Sequence, residues 1–251
     1  MNKKLYITGA GVSSASGIPT FRGSDGFWTI GSKNYTPQEM ATRYMYENNP
    51  SEFLVWYYKR FVKYRNSSPN NVHKWLKNKK LITQNIDGLD GKAGNKTYIP
   101  IHGRLDKVTL FHDQGLKVSI QDAPWDKIAD ECSDESDIEK LSGLLLEYFK
   151  ISKKTLVPEK MVSFKPFVLL FDEYYTDIYR MAEAEAWMKS SNRIIFLGTS
   201  FSVNITSIAL NYAAVNKAYI EIVDPNPVNL NLDNVTYHKM TASQYIDDLD
   251  S

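Results

Sequence analysis

Five places in the chain carry the residue types that nucleotide chemistry would need. Gly9-Ala10-Gly11 ends an apolar run, Leu5 to Thr8, and continues through Val12-Ser13-Ser14-Ala15-Ser16-Gly17 to Ile18-Pro19. Glycines at a strand end let backbone N–H groups approach a pyrophosphate, and the helix start that follows adds the positive end of its dipole. Tight strand-to-helix turns also use such glycines for purely steric reasons. Thr83-Gln84-Asn85-Ile86-Asp87 follows a second apolar run, which puts polar side chains at a strand's carboxyl end, where open α/β sheets bind ligands. The plain alternative is an Asn and an Asp capping the next helix. His102 stands directly behind Tyr98 to Ile101, and its imidazole titrates close enough to neutrality to take a proton from a hydroxyl. Three further histidines, His73, His112 and His238, show that the residue is not reserved for catalysis, and His73 falls in the first turn of a helix, where its role is structural. Gly198-Thr199-Ser200 ends the run Ile194 to Leu197 and suits phosphate or adenosine-ribose contacts. Asp224 closes Tyr219 to Val223. A carboxylate there can accept from both ribose hydroxyls and repel a 2'-phosphate, or it can cap the Pro225-Asn226-Pro227 turn.

Positioning these groups takes strands that end together. Runs rich in Ile, Val, Leu, Tyr and Phe recur at Leu5 to Thr8, Leu81 to Thr83, Tyr98 to Ile101, Phe167 to Phe171, Ile194 to Leu197 and Tyr219 to Val223, with helical patterns between most of them. Continuous apolar strands are buried on both faces, so the class is α/β with a parallel sheet. Thr36 to Arg65 reads as helix with an aromatic stripe, and Asn66 to Asn71 as a turn capping the next one. From Lys107 a hairpin turns around Asp113 to Gly115, and Asp137 to Ile151 has an amphipathic helical pattern, which together suggest an inserted lobe.

The 251 residues are 43% hydrophobic and 24% charged, which describes one large globular domain, or one with an insertion. A formal charge of +1 gives no net pull toward nucleic acid or an anionic membrane. Cys132 is the single cysteine, so there is no intrachain disulfide and no four-thiolate zinc site. The opening residues contain no apolar core of signal type, and no run is long enough to span a bilayer, so a soluble, cytoplasmic protein is expected.

The motifs resemble those of the sirtuin family, the NAD-dependent protein-lysine deacylases. Gly9 to Gly23 is similar to the family's first motif, Thr83 to Leu89 with Ala93-Gly94 to its second, Ile101-His102-Gly103 to its catalytic histidine motif, Gly198-Thr199-Ser200 to its third nucleotide loop, and Pro69 to His73 to a family helix start. They stand in family order from Gly9 to Asp224. The resemblance implies NAD held by Gly9, Ala10, Gly11, Ser13, Ile18, Phe21, Arg22, Gln84, Asn85, Ile86, Asp87, Gly198, Thr199, Ser200 and Asp224. Gln84 and Asn85 would meet the nicotinamide-side ribose and Asp87 the carboxamide. His102 would be the general base, with Asn85 and Asp87 positioning the reactants. Phe21 and Arg22 would shield the reacting sugar from water.

The chain departs from the family pattern in several places. Most sirtuins hold a structural zinc with two Cys-x-x-Cys pairs, and neither pair is present, so no zinc is expected and apolar packing must hold the hairpin and the helix around Leu144 to Phe149. Lys165 to Glu173 resembles the segment whose backbone pairs with the substrate peptide, which makes Val168, Phe171, Asp172 and Glu173 substrate-binding candidates. Asp172 replaces the usual Gly there and would alter the groove. Thr20 stands where the family has Asp. Tyr57 and Arg60 share a helix face and resemble the pair that binds acidic acyl groups in some sirtuins, against a simpler view of a core stripe with a solvated Arg.

The expected architecture is a Rossmann-like parallel sheet with helices on both faces (1–34, 70–106, 164–251) and a small inserted lobe without zinc (35–69, 107–163), with NAD and substrate in the cleft between them. The expected activity is NAD-dependent deacylation of acylated lysine in protein or peptide, with release of nicotinamide and O-acyl-ADP-ribose. NAD hydrolysis or ADP-ribosyl transfer is the alternative, and a non-catalytic NAD sensor a second one. Neither nucleic acid nor membrane is an expected partner, and the oligomeric state is left open.

Overall fold

The computed structural model describes residues 3–20 and 35–250, with nothing stated of the side chain of Asp250. Phe21 and Arg22 therefore lie outside the described residues. In chain order the elements are β1 (Lys4–Thr8), α1 (Pro37–Met40), α2 (Arg43–Asn48), α3 (Pro50–Tyr64), α4 (Asn71–Leu76), β2 (Leu81–Thr83), α5 (Leu89–Lys92), β3 (Ile99–Pro100), β4 (Gly103–Leu110), β5 (Ile120–Asp122), α6 (Trp125–Glu131), α7 (Ile138–Tyr148), β6 (Phe164–Val168), α8 (Met181–Ser190), β7 (Arg193–Leu197), α9 (Asn204–Asn216), β8 (Tyr219–Val223), β9 (Val235–His238) and α10 (Ala242–Asp250). A 3-10 helix occupies Ala10–Ser16 and a short 3-10 turn Asp177–Tyr179.

The chain divides into two compact units. The first, formed by residues 3–20, 67–102 and 179–250, carries a six-stranded sheet in the order β3-β2-β1-β7-β8-β9. Every neighbouring pair is parallel. Alternation along the strands buries both faces: Leu5, Ile7, Ile194, Phe196, Ile220 and Ile222 are at most 1% exposed. Tyr6, Ile195, Leu197 and Val223 point the other way, into a cluster with Val72 and Leu76 of α4 and Tyr245 and Ile246 of α10. One buried charge interrupts this apolar surface. Glu221 of β8 accepts from Arg193 Nη1 at 2.7 Å and Tyr245 Oη at 2.7 Å, with His238 Nε2 at 3.0 Å, so a single carboxylate ties the edge strand and the last helix to the sheet.

The second unit, residues 35–66 and 103–178, contains an antiparallel three-stranded sheet in the order β5-β4-β6, with α3 packed on α6 and α7. Its core is aromatic. Trp125 is fully buried, with the Phe149 ring centroid at 4.8 Å, Phe61 at 6.1 Å and Tyr58 at 6.2 Å, and its indole N–H donates to the Leu105 carbonyl at 2.7 Å. Leu141, Leu145, Leu146 and Phe149 are buried with it, so apolar packing supports the α7 region as the missing thiolates required. Among the described residues no three His, Cys, Asp or Glu side chains gather to hold a metal ion, and Cys132 is buried.

Several expectations are corrected here. The run Phe167 to Phe171 was expected in the parallel sheet, whereas the strand is Phe164–Val168 and pairs antiparallel with β4. Apolar burial looks alike in either setting, so the sequence pattern does not discriminate. Accordingly 103–106 and 164–178 belong to the smaller unit. The aromatic helix is three helices, because Thr42 and Asn49 each cap a new N-terminus with a side-chain oxygen and Pro50 opens the third. The expected hairpin, by contrast, is present: β4 and β5 pair antiparallel on either side of the turn at Asp113 to Gly115.

Candidate active site

The parallel order has a topological switch beside β1: the chain runs outward through β2 and β3 on one side, then through β7, β8 and β9 on the other. Loops leaving β1 and β7 therefore meet at the carboxyl edge, the place where such sheets bind nucleotides. The meeting is close. A Cβ on Gly11 would stand 2.7 Å from Gly198 Cα, and one on Gly9 would stand 2.6 Å from the Gly198 carbonyl oxygen. Gly198 itself has φ +58°, in the left-handed region. The N–H of Gly11 donates to the Gly198 carbonyl at 2.9 Å and that of Gly9 to the Leu197 carbonyl at 3.0 Å. These two amides therefore join the two loops, and the missing side chains allow the close approach.

Polar side chains line the same edge. Thr199 Oγ1 accepts from Gln84 Nε2 at 3.0 Å, bridging the loops after β7 and β2. Asn85 Nδ2 donates to the Gly9 carbonyl at 3.0 Å and to Ser13 Oγ at 3.1 Å. Ser13, 1% exposed, donates in turn to Asp87 Oδ2 at 2.6 Å, while Asp87 Oδ1 accepts from the Leu89 N–H at 2.9 Å. Capping and positioning therefore coexist in Asp87, with one oxygen on the start of α5 and the other fixed by Ser13. Asp224 Oδ1 accepts from the Asn226 N–H at 2.8 Å, so it does cap its turn. Ile18 and Ile86 are buried, Ala10 and Ser200 half-buried.

His73, buried, accepts the Asn70 N–H on Nδ1 at 3.3 Å within a capping box at the start of α4, as its structural assignment anticipated. That bond leaves the proton on Nε2, 3.5 Å from Ser13 Oγ. Burial holds its imidazole below the ordinary value, with Asp87 pulling the other way. Sequence reasoning missed Ser13 as the hub of this network and the role of His73 in it; the only signal was a Ser two residues beyond Gly11.

His102 Nδ1 lies 2.9 Å from the Gln84 carbonyl oxygen. A carbonyl only accepts, so Nδ1 carries the proton and the lone pair is on Nε2, the tautomer a general base needs. Burial drives the imidazole down to about 4, against a smaller upward pull from that carbonyl, and the ring is neutral at physiological pH. Gly103, beginning the smaller unit, has φ +80°, and a Cβ there would fall 2.0 Å from the Phe167 carbonyl oxygen, so close strand approach demands this glycine.

Within the smaller unit the substrate-binding candidates do not stand alike. Asp172 accepts from the N–H groups of Arg43 (2.6 Å) and Tyr44 (3.0 Å), closing the start of α2. Glu173, with its side chain 4% exposed, accepts from Lys165 Nζ at 2.9 Å and the Leu170 N–H at 3.1 Å, and pairs with Arg43 at 3.3 Å. The expectation of Glu173 as a substrate contact is corrected, since these donors occupy it. Val168 is buried and Phe171 exposed. Tyr57 is fully buried and Arg60 only 5% exposed, so Arg60 is not solvated: its guanidinium lies 3.3 Å over the Trp56 ring and donates to the Trp56 carbonyl at 2.9 Å. Burial pulls the Arg60 guanidinium down to about 9.

Comparison with known proteins agrees with this geometry. A chain in the curated set from Caldanaerobacter subterraneus subsp. tengcongensis, NAD-dependent protein deacylase 1, is 39% identical over 141 residues, covering 52% of this chain; the match spans 55% of that relative's length. The NAD-dependent protein deacylase of Leptospira interrogans is 30% identical over 229 residues, 87% of this chain and 80% of its own. Among solved structures, a Sir2 homologue in complex with ADP-ribose superposes with TM-score 0.72 at 26% identity, covering 98% of this chain and 89% of that one. A Sir2 homologue–NAD complex gives 0.71 at the same identity, covering 98% and 87%. The Sir2 family profile matches residues 9–205, every polar group from the Gly9 loop to Ser200 included, and with the sheet order and the placement of His102 it follows that this chain belongs to the Sir2 family.

Proposed function

We propose that the protein is an NAD-dependent protein-lysine deacylase. The observation that carries this reading is His102: a half-buried imidazole, neutral, with its tautomer fixed by the Gln84 carbonyl. A dinucleotide fits the residues present, because two glycine loops abut at the switch point and the carboxyl edge offers Gln84, Asn85, Asp87, Thr199, Ser200 and Asp224. When bound, NAD supplies an activated glycosidic bond and the ribose hydroxyls that accept the acyl group. Asp87, fixed by Ser13, holds the carboxamide end; Asn85 and Gln84 orient the ribose beside it; Asp224 takes the adenosine ribose with the oxygen not used by its turn. His102 Nε2 takes a ribose proton. In the smaller unit β6 neighbours only β4 among the described residues, so an extended peptide can add to its other side and present acyl-lysine by main-chain bonds.

Nicotinamide release is expected to depend on an acylated peptide. Rapid release from NAD alone would favour the hydrolase alternative, and tight NAD binding with no turnover would favour a sensor. Asp172, the residue that motivated hydrolysis, caps α2 with both oxygens, which weakens that case.

For the acyl group, the buried Tyr57 and Arg60 support acidic chains, because a carboxylate beside a desolvated guanidinium restores what burial takes from the charged form. Arg60→Met is expected to lower the ratio of desuccinylation to deacetylation by about tenfold or more, in keeping with a lost charge-assisted bond of roughly 1.5–3 kcal/mol. An unchanged ratio, measured with paired peptides, removes the acidic preference.

A further inference from the structure

Four bonds fix the chain as it leaves β6. The Val168 carbonyl accepts from Lys165 Nζ at 3.0 Å, the Leu170 N–H donates to Glu173 Oε2 at 3.1 Å, the Phe171 N–H donates to the Ala41 carbonyl at 2.9 Å, and the Glu173 N–H closes a turn on the Leu170 carbonyl at 3.0 Å. Lys165 and Glu173 form an ion pair at 2.9 Å, with side chains only 2% and 4% exposed. Arg43 joins it. Its Nη1 reaches Glu173 Oε1 at 3.3 Å, its Nη2 donates to the His112 carbonyl at 2.7 Å, and the guanidinium lies 4.4 Å over the Phe111 ring, so one cation ties the chain beyond β4 to the turn beyond β6. Asp172, exposed, fastens the same turn to the start of α2 by accepting the Arg43 and Tyr44 N–H groups. All four carboxylate oxygens of Asp172 and Glu173 therefore have donors within the unit.

A buried ion pair is a weak source of stability, since desolvating both charges offsets much of their attraction and apolar residues of like volume often serve as well. What it supplies is direction, because charged donors and acceptors hold their partners in narrow geometry. Here those partners include backbone groups of the turn that ends the strand on which the peptide adds. We infer that Arg43, Lys165, Asp172 and Glu173 are positioning residues for the acylated peptide, which together preform the main-chain edge at the end of β6, so that docking does not have to order it. This rests on the deacylase reading and on peptide addition to β6. The effect is on peptide affinity, and it is blind to peptide charge because the carboxylates are already occupied.

Two variants test the inference. Asp172→Ala removes only an exposed cap, and the double variant Lys165→Met/Glu173→Gln removes both charges of the buried pair while leaving an amide oxygen to accept from Leu170. Steady-state kinetics use NAD and two acylated peptides of one core sequence, one flanked by Arg and the other by Glu. Peptide KM is expected to rise about tenfold in the double variant and about threefold in Asp172→Ala, equally for both peptides, with kcat and the KM for NAD within about twofold of wild type. An unchanged peptide KM in either folded variant overturns the inference, and if the double variant does not fold, Asp172→Ala decides alone. A rise confined to the Arg-flanked peptide overturns it as well, since the carboxylates would then be direct charge contacts. So does a loss carried by kcat with peptide KM unchanged. Wild-type protein that turns over no acylated peptide overturns the deacylase reading and this inference with it, a result seen before any variant is made.

Discussion

His102→Ala is expected to reduce NAD-dependent deacylation by about 10²–10⁴-fold, the contribution of a positioned general base, while NAD affinity changes only a few-fold. The argument is geometric first. Nδ1 is committed to the Gln84 carbonyl, so the basic lone pair has one place to be, and alanine removes it without touching the Gln84, Asn85 and Asp87 contacts to the glycine loops. The pH dependence follows from the depressed value. With the imidazole at about 4, the base form persists well below the ordinary 6.5, so the acid limb set by His102 should fall near pH 4. Its effect on stability has the same origin. Between pH 6.5 and 4 the unfolded chain binds a proton at this residue that the folded chain does not, so stability is full above 6.5 and declines as pH falls toward 4. Single-turnover rates on one acylated peptide, wild type beside variant, measure the first effect. A variant with wild-type turnover removes His102 from the reaction.

Trp125→Ala is expected to cost about 3–5 kcal/mol, the usual penalty for emptying a large aromatic site. The side chain is fully buried among Tyr58, Phe61 and Phe149, and its removal also leaves the Leu105 carbonyl without its indole donor. Chelator washing of the wild type, by contrast, should leave its melting temperature unchanged. Denaturant titration of the variant and metal analysis of the washed wild type check both halves. A loss below about 1 kcal/mol, or stoichiometric retained zinc, would show that something other than this packing holds the unit together.

The central sheet was legible because burial on both faces writes itself as continuous apolar runs, and five of the six strands end in the polar positions that frame the site. β9 was not, since its four residues are all only partly buried and Thr236 and His238 carry no apolar signal. The strand at Phe164–Val168 was seen but put in the wrong sheet, because parallel and antiparallel partners leave the same apolar trace when both faces are covered. In the site, His102, Asn85 and Asp87 were found by type and position. What they lean on was not: Ser13 was expected at the cofactor but not as the group that orients Asp87, and His73 joins it only after folding, because no local pattern distinguishes a buried hydroxyl that orients a carboxylate from one that decorates a turn. Of the two readings of Arg60, the one that left it in solvent followed from helix patterning, which places long cations outside, and the Trp56 ring reverses that.

The abutting glycine loops bear on the order in which the molecule comes into being. Gln84 and Thr199, which bridge the same floor, are 115 residues apart in the chain, and the loop beyond β1, which meets the loop after β2 first, gains its glycine partner only once β7 has left the ribosome. Contacts so distant in sequence are slow to close. Cofactor therefore cannot serve as a template for the nascent polypeptide, and can hold the dinucleotide unit together only once that unit is essentially finished.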